Sequence, residues 1–358
     1  MKKKYNLDPH SEAILEEYRQ QRPVFEHLQE TVPAQVKAVF DETGIIVASI
    51  ESRIKEEKSL AGKLELKGAK YQSLSDITDI FGMRIVTFYI DDVDKVASVV
   101  DRLFEVDWEN SVDKRKLHQI DSFGYMSLHY ICRLPGCPYR FEIQMRTILQ
   151  HAWANMNHDT GYKTGVEVPL EYLRNMNRLA GMLELIDEQF SRIRTEINDY
   201  RRQVQSLVAS GRLEEVTLDG DSYRSYLKLG PFDPLNRKIA SVNQAEIQEV
   251  TLMPYLALFK TLGFKTLGDL ADLIRDYADA AYQIACYQIS VTDLDILASS
   301  VGPQNLCIAY LLKQGSGRAG IRLMLDTLNG PSESNDMMAE FIVEQAKDLS
   351  FMHTKKQS

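Results

Sequence analysis

The run SLHYICRLPGCPYRFEIQMR, residues 127–146, constrains the fold of this chain more than any other stretch. Two segments rich in β-branched and aromatic residues flank a PGCP turn, the signature of a β-hairpin. Successive side chains of a strand point to opposite faces, so alternation assigns each residue a side. Phe141, Ile143 and Met145 share one face, and Glu142, Gln144 and Arg146 the other. Ser127, His129, Ile131 and Arg133 likewise oppose Leu128, Tyr130, Cys132 and Leu134. One side is composed as core and the other as a surface that holds something polar. The second strand then runs into TILQHAWANMNHDTGYK, a helical stretch carrying His151 and His158.

The flanking segments fit the same sheet. Residues 11–40 have helical periodicity, with Pro23 and Pro33 expected to break or restart the helix. GIIVASIESRIK reads as a strand leading into a basic segment. Between Arg53 and Lys70 there are six basic and three acidic residues, against the acidic trend of the chain. Ser75 is expected to cap a short helix, MRIVTFYI to form a central strand, and residues 91–105 to form an amphipathic helix with acidic residues in its first turn. VDKRKLH reads as a basic loop. Helices are expected over 148–163 and 168–210, and again beyond about 240, in AEIQEVTLMPYLALFKTLG, TLGDLADLIRDYADAAYQIACYQIS and NLCIAYLLKQ. The turn-rich junction near 225–240 is the expected domain boundary. The expected division is therefore 1–225, a linker at 226–240, and 241–358. The fold class is α+β: a mixed central sheet flanked by helices, followed by an all-α C-terminal domain.

A chain of 358 residues exceeds one ordinary core, which agrees with two domains. Apolar residues make up 44% and charged residues 26%, the range of a globular protein. The net charge of −9 argues against general nucleic-acid binding, though a local basic patch survives it. No apolar h-region follows the N-terminal lysines and no run is long enough to span a bilayer, so a cytoplasmic protein is expected. The four scattered cysteines read as free thiols.

Asp79 stands five residues before Arg84, and Glu142 lies on the polar side of the hairpin. Brought together, two carboxylates could hold one Mg²⁺, which binds through one or two carboxylates plus substrate phosphates. Arg53, Lys55, Lys63 and Arg84 would clamp phosphates or stack on a base, and Tyr125, after Gly124, could stack on a second base. Each residue also has an ordinary use: a cap, a solvent-facing strand position, a core ring. His151 and His158 are seven residues apart, too far for a metal pair one helical turn apart. Neither GxxxxGK[ST] nor GxGxxG occurs.

In order, SIESRIK with Lys63 downstream, LSDITDIFGMRIV, FGYMSLHY and EIQMRTILQHAWANMNHDTGYK resemble the synthetase domain of the RelA/SpoT family of alarmone enzymes, over about residues 45–165. The resemblance implies a nucleotidyltransferase-like domain that moves pyrophosphate from ATP to the 3′-hydroxyl of GTP or GDP, giving (p)ppGpp and AMP. It implies that Arg53 and Arg84 sandwich adenine, that Lys55, Ser59 and Lys63 hold the ATP phosphates, and that Asp79 and Glu142 coordinate Mg²⁺. Glu142 would also assist deprotonation of the attacking hydroxyl. Tyr125 would stack on guanine. His129, Gln144 and His151 would contact the acceptor, and Lys114, Arg115 and Lys116 would reach its 5′-phosphates.

The chain departs from the family pattern at Asn155 and Asn157, where acidic residues are common, and at Met126, where a polar or basic residue is common. These positions bear on acceptor choice. Too few residues precede the motifs for the family's hydrolase domain, and the tail is too short for the long regulatory set. The expected type is a small synthetase with an added helical domain that regulates it or docks a protein partner. An adenine nucleotide or a tRNA 3′ end as acceptor, a non-catalytic nucleotide sensor, and self-association stay open.

Overall fold

The computed structural model describes residues 5–113, 127–161, 170–290 and 294–353. It divides into two compact units, Met1–Thr195 and Glu196–Ser358.

The first unit begins with helix α1 (Pro9–Thr43). Asp8 caps it, its carboxylate accepting the backbone N–H groups of His10 and Ser11 at 2.9 Å. Gly44 ends it in the left-handed conformation that favours glycine, φ 69°. The expected breaks do not occur: α1 is continuous through Pro23 and Pro33. Tyr18, Phe25, Leu28, Val32, Val36 and Phe40 form one buried stripe across both prolines. Tertiary packing of that stripe outweighs the lost backbone hydrogen bonds.

Strands β1 (Val47–Ile54), β2 (Phe81–Thr87), β3 (Glu105–Asp113), β4 (Leu128–Arg133) and β5 (Arg140–Thr147) form one sheet in the order β1-β2-β5-β4-β3. Only the β2–β5 pair is parallel, so the sheet is mixed, as expected. The hairpin β4–β5 has the expected faces: Phe141, Ile143 and Met145 are fully buried with Leu128 and Cys132, while Glu142 and Gln144 are only half-buried. Helix α1 and helix α3 (Ile90–Leu103) pack on the apolar face. Helix α2 (Glu57–Lys67) lies in the basic segment and buries Leu60, Ala61 and Leu64. Helix α4 (Ile148–Gly161) follows β5, and helix α5 runs from Leu170 to Ala209.

Two local expectations change. Ser75 does not cap a helix; it sits inside a single 3₁₀ turn, Leu74–Asp76, where the Asp76 carboxylate takes the N–H groups of Gln72 and Ser73. Residues 105–113 form edge strand β3, which the periodicity did not announce. Its pairing with β4 shifts register between Asp107 and Val112, so Val106, Trp108 and Val112 never alternate cleanly.

The second unit holds α6 (Gly220–Leu227), α7 (Asp233–Ala240), α8 (Pro254–Thr261), α9 (Leu267–Ser290), α10 (Val301–Lys313), α11 (Gly317–Asn329) and α12 (Glu333–Ala346). They enclose a core that includes Tyr223, Phe232, Ile239, Phe259, Leu270 and Leu306. The expected all-α domain also contains a two-stranded parallel ribbon, Glu246–Gln248 with Ile296–Ala298. The expected linker at 226–240 is not one. Phe232, Leu235 and Ile239 are buried there, and Gly230 and Pro234 turn the chain into α7 rather than separate two domains. The boundary by packing lies at 195/196, inside a long helix with no composition change to mark it.

A chain truncated after Ser225 would lose Tyr226, Phe232, Leu235, Ile239 and Phe259, which share a core with Val204, Val208 and Tyr223. Such a protein is expected to bind more of an apolar dye than the full chain and to unfold less cooperatively. Unchanged dye binding and cooperativity would show that α7 and the helices after it are dispensable to this core.

Candidate active site

The polar face of the sheet is fixed by strand register, because residues directly opposite one another share a side. One row reads Arg53, Gly82, Glu142, Ile131 across β1, β2, β5 and β4; the next reads Glu51, Arg84, Gln144, His129. Side chains from all four motif segments therefore lie in two adjacent rows.

Asp79 stands just before β2. The Lys55 N–H donates to the Ile80 carbonyl at 2.7 Å, and the Tyr18 hydroxyl donates to the Lys55 carbonyl at 2.7 Å, which fixes the end of β1 against this turn. The Asp79 carboxylate receives Lys55 Nζ at 2.7 Å on one oxygen and Lys63 Nζ at 2.8 Å on the other. Burial pushes its pKa up, but the two ammonium groups outweigh burial and hold it below the usual carboxylate value of 3.8. Lys63, from α2, is stabilised as the cation by the same contact against its own desolvation.

Glu142 is the centre of a hydrogen-bonded chain. His129 Nδ1 lies 2.8 Å from one of its oxygens, and Gln144 Nε2 donates to the other at 2.8 Å. His129 Nε2 is 2.6 Å from Ser127 Oγ, and the buried Arg146 donates to Gln144 Oε1 at 3.2 Å. Burial raises the Glu142 pKa, yet the bonds from His129 and Gln144 bring it below the ordinary value. The Asp79 charge acts on Glu142 in the opposite sense. The two carboxylates are thus near enough to repel, and both are ionised at neutral pH.

His151 is set by the start of α4. Thr147 Oγ1 accepts the Gln150 N–H at 3.2 Å, while Gln150 Oε1 accepts the Thr147 N–H at 3.0 Å. This reciprocal pair is a capping box in its Gln form. It aims the first turn of α4 so that His151 feels the charges of Arg146 and Arg84. Burial first, and those cations second, keep the His151 pKa below 6.5 and the ring neutral at pH 7. Arg84 donates to Glu51 at 3.2 Å. Arg84 Nε and His151 Nδ1 are buried without a hydrogen-bond partner among the described residues. Two such orphaned nitrogens on one face suit a ligand that supplies complementary atoms.

Of the expected site residues, Lys55, Lys63, Asp79, Arg84, His129, Glu142, Gln144 and His151 fall within this region. Arg53 is exposed beside Gly82, and Ser59 is exposed in the first turn of α2. Tyr125, Lys114, Arg115 and Lys116 lie outside the described residues. Sequence reasoning missed Glu51, although its alternation with Arg53 was visible, and the Thr147–Gln150 box, whose T-x-x-Q spacing was a readable signal. Among the described residues no group of three or more His, Cys, Asp or Glu side chains gathers to cage a metal. No described helix is long and apolar enough to cross a membrane.

Comparison with family models matches residues 52–167 to the region found in RelA/SpoT proteins. Among curated proteins, the chain is 25% identical to the GTP pyrophosphokinase YwaC of Bacillus subtilis over 200 residues, covering 52% of this chain and 94% of that protein. It is 27% identical to the GTP pyrophosphokinase YjbM of the same organism over 157 residues, covering 42% of this chain and 73% of the relative. Among solved structures, the small alarmone synthetase 2 of Bacillus subtilis aligns with TM-score 0.44 at 24% identity, over 50% of this chain and 98% of the other. A GTP pyrophosphokinase family protein from Streptococcus pneumoniae aligns with TM-score 0.43 at 22% identity, over 54% and 97%.

The sign of the Asp79 shift gives a test. A carboxyl whose folded pKa lies below its unfolded value of 3.8 stabilises the fold above that value and loses the contribution as pH falls through the folded pKa. In urea unfolding as a function of pH, the wild-type midpoint is expected to drop more steeply below about pH 4 than that of Asp79→Asn. Parallel curves would mean that the lysine contacts do not hold in solution.

Proposed function

We propose that the chain, whose residues 52–167 match the region found in RelA/SpoT proteins, transfers pyrophosphate from ATP to the 3′-hydroxyl of GTP or GDP, forming (p)ppGpp and AMP. The observation that carries the reading is the pair Asp79 and Glu142, both ionised, with Glu142 sensing the Asp79 charge, beside a face that bears Arg53 and Arg84 and adjoins Lys55 and Lys63. Phosphoryl-type transfer needs positioned cations and little covalent chemistry from the protein.

In this reading the acceptor 3′-oxygen bonds to the β-phosphorus of ATP. The bond from that phosphorus to the α–β bridging oxygen breaks, and AMP leaves with the oxygen. Glu142 accepts a hydrogen bond from the 3′-hydroxyl and takes up its proton as the new bond forms. Its hydrogen bonds from His129 and Gln144 hold the carboxylate in one orientation, which serves positioning more than basicity. Arg53 and Arg84, on neighbouring strands, offer guanidinium planes for adenine. Lys55, Lys63 and Ser59 receive the phosphates. His151, neutral, and Gln144 meet the acceptor, and Tyr125, Lys114 and Lys116 complete its site. The donor set of Asp79 and Glu142, two ionised oxygen ligands, fits Mg²⁺. When bound, that ion would neutralise phosphate charge. The unit 196–358 supplies none of these residues, so its part is regulation or docking of a partner.

The test incubates purified protein with ATP and Mg²⁺ and, in parallel, GTP, GDP, ATP alone or tRNA as acceptor, with products identified by mass spectrometry. AMP release with a 3′-pyrophosphorylated guanine nucleotide is expected. Transfer to adenine nucleotide or tRNA alone would replace the acceptor but keep the chemistry. Glu142→Gln is expected to lower kcat at least about 100-fold with an unchanged circular dichroism spectrum; full activity in that variant would remove Glu142 from the reaction.

A further inference from the structure

Asp187, on helix α5 within the first unit, is 2% exposed and is the most deeply buried carboxylate among the described residues. Asp92, the next, is paired with Arg194 and Lys95. Among the described residues no cation pairs with Asp187; the Thr147 hydroxyl donates to it. Burial pushes its pKa up, the bond from Thr147 pulls it back, and the charge of Glu188 adds to the rise. A buried carboxylate so sparsely supported costs stability that an apolar side chain would not. What it contributes is local geometry.

Thr147 ends β5, and Ile148 begins α4. A hydroxyl has one proton and two lone pairs. Thr147 Oγ1 accepts the Gln150 N–H at 3.2 Å, and its proton goes to Asp187. The Thr147 N–H in turn donates to Gln150 Oε1 at 3.0 Å. Gln150 Nε2 is buried without a partner among the described residues, so the Gln150 side chain is held through its oxygen. The bonds from Asp187 through Thr147 to Gln150 therefore tie α5 to the junction of β5 and α4. Asp187, Gln150, Leu149, Trp153, Leu183 and Ile90 also line a cavity of about 20 Å³, room for one water-sized guest. Around so small a space a lost bond shifts the neighbours rather than being absorbed.

His151 directly follows Gln150. Its Nδ1 is buried without a partner among the described residues, and its Nε2 lies 3.0 Å from Asn155 Nδ2 of the same helix. The ring is thus aimed by the helix that carries it. Arg146 on β5, Arg84 on β2 and Glu51 on β1 all act on its charge, which places it against the polar face of the sheet. We infer that Asp187 is a positioning residue for His151: it fixes the Thr147 hydroxyl, which sets the first turn of α4 and with it the approach of the ring to an acceptor nucleotide. The acceptor in this statement rests on the reaction proposed above, whereas the setting of the ring does not.

Asp187→Leu and Thr147→Val each remove the bond with little change of volume. Each is expected to raise KM for the guanine-nucleotide acceptor at least about tenfold and to leave KM for ATP within about twofold. The double variant should lose no more than the worse single one, because both cut the same tie. Asp187→Asn, whose amide oxygen still accepts the Thr147 proton, should restore most of the acceptor affinity. A part played only in stability would lower the fraction of active enzyme, and so kcat, with both KM values unchanged. That result, or additive losses in the double variant, would overturn the inference. A second readout needs no turnover: the His151 ring is titrated by proton NMR in wild type and in variants shown to be folded by circular dichroism. In Asp187→Leu and Thr147→Val the ring is expected to leave its place beside the arginines, so that its pKa rises toward 6.5; in Asp187→Asn it should keep the wild-type value. An unchanged His151 titration in both Asp187→Leu and Thr147→Val overturns the positioning role even if the wild type proves inactive with every acceptor, an outcome that by itself removes only the reaction.

Discussion

The parallel pairing of β2 with β5 is the constraint on which the polar face depends. It sets Gly82 beside Glu142 and Arg84 beside Gln144, joining segments some sixty residues apart in sequence. Because side chains alternate, a slip of one residue would turn Glu142 and Gln144 into the core and Ile143 out to solvent. The buried Phe81, Met83, Ile85 and Phe141, Ile143, Met145 sets hold the register from the other side. The polar geometry is thus specified by apolar packing: residues that never touch a ligand decide which carboxylate faces which cation.

How much of this was legible in the sequence followed the range of the interactions. The β4–β5 hairpin was readable because its turn and its alternation lie within twenty contiguous residues. The identity of the polar residues on it was readable for the same reason. The adjacency of β2 and β5 was not, since nothing local in either strand names a parallel partner. The same limit hid β3, whose bulge breaks the alternation that would have announced it. Pro23 and Pro33 misled because a helix-breaking residue was weighed without the buried stripe that spans it. The boundary misled in reverse: Gly230 and Pro234 are strong turn signals, but they serve a turn inside a packed core, while the division by packing falls within one helix.

Electrostatics and hydrogen bonding support each other at the candidate site. An acidic chain, net −9, concentrates Arg53, Lys55, Lys63, Arg84 and Arg146 around two carboxylates. Asp79 and Glu142 are desolvated, which disfavours charge, and each remains ionised because specific donors outweigh that cost. His151 shows the converse: among the described residues no carboxylate bonds its ring, and burial with two guanidinium groups keeps it neutral. One small region therefore fixes three protonation states by three different local arrangements.

The two lysines on Asp79 carry a further consequence. Without a ligand they are already satisfied by an internal counter-ion, both oxygens of which are engaged. Any incoming anion has to compete with a carboxylate rather than with water. A singly charged guest gains little by such an exchange, because it replaces one minus with another. A guest that spreads several negative charges over neighbouring oxygens can engage both ammonium groups together. The resting ion pair would then work as a threshold, passing over common small anions in favour of polyanionic chains.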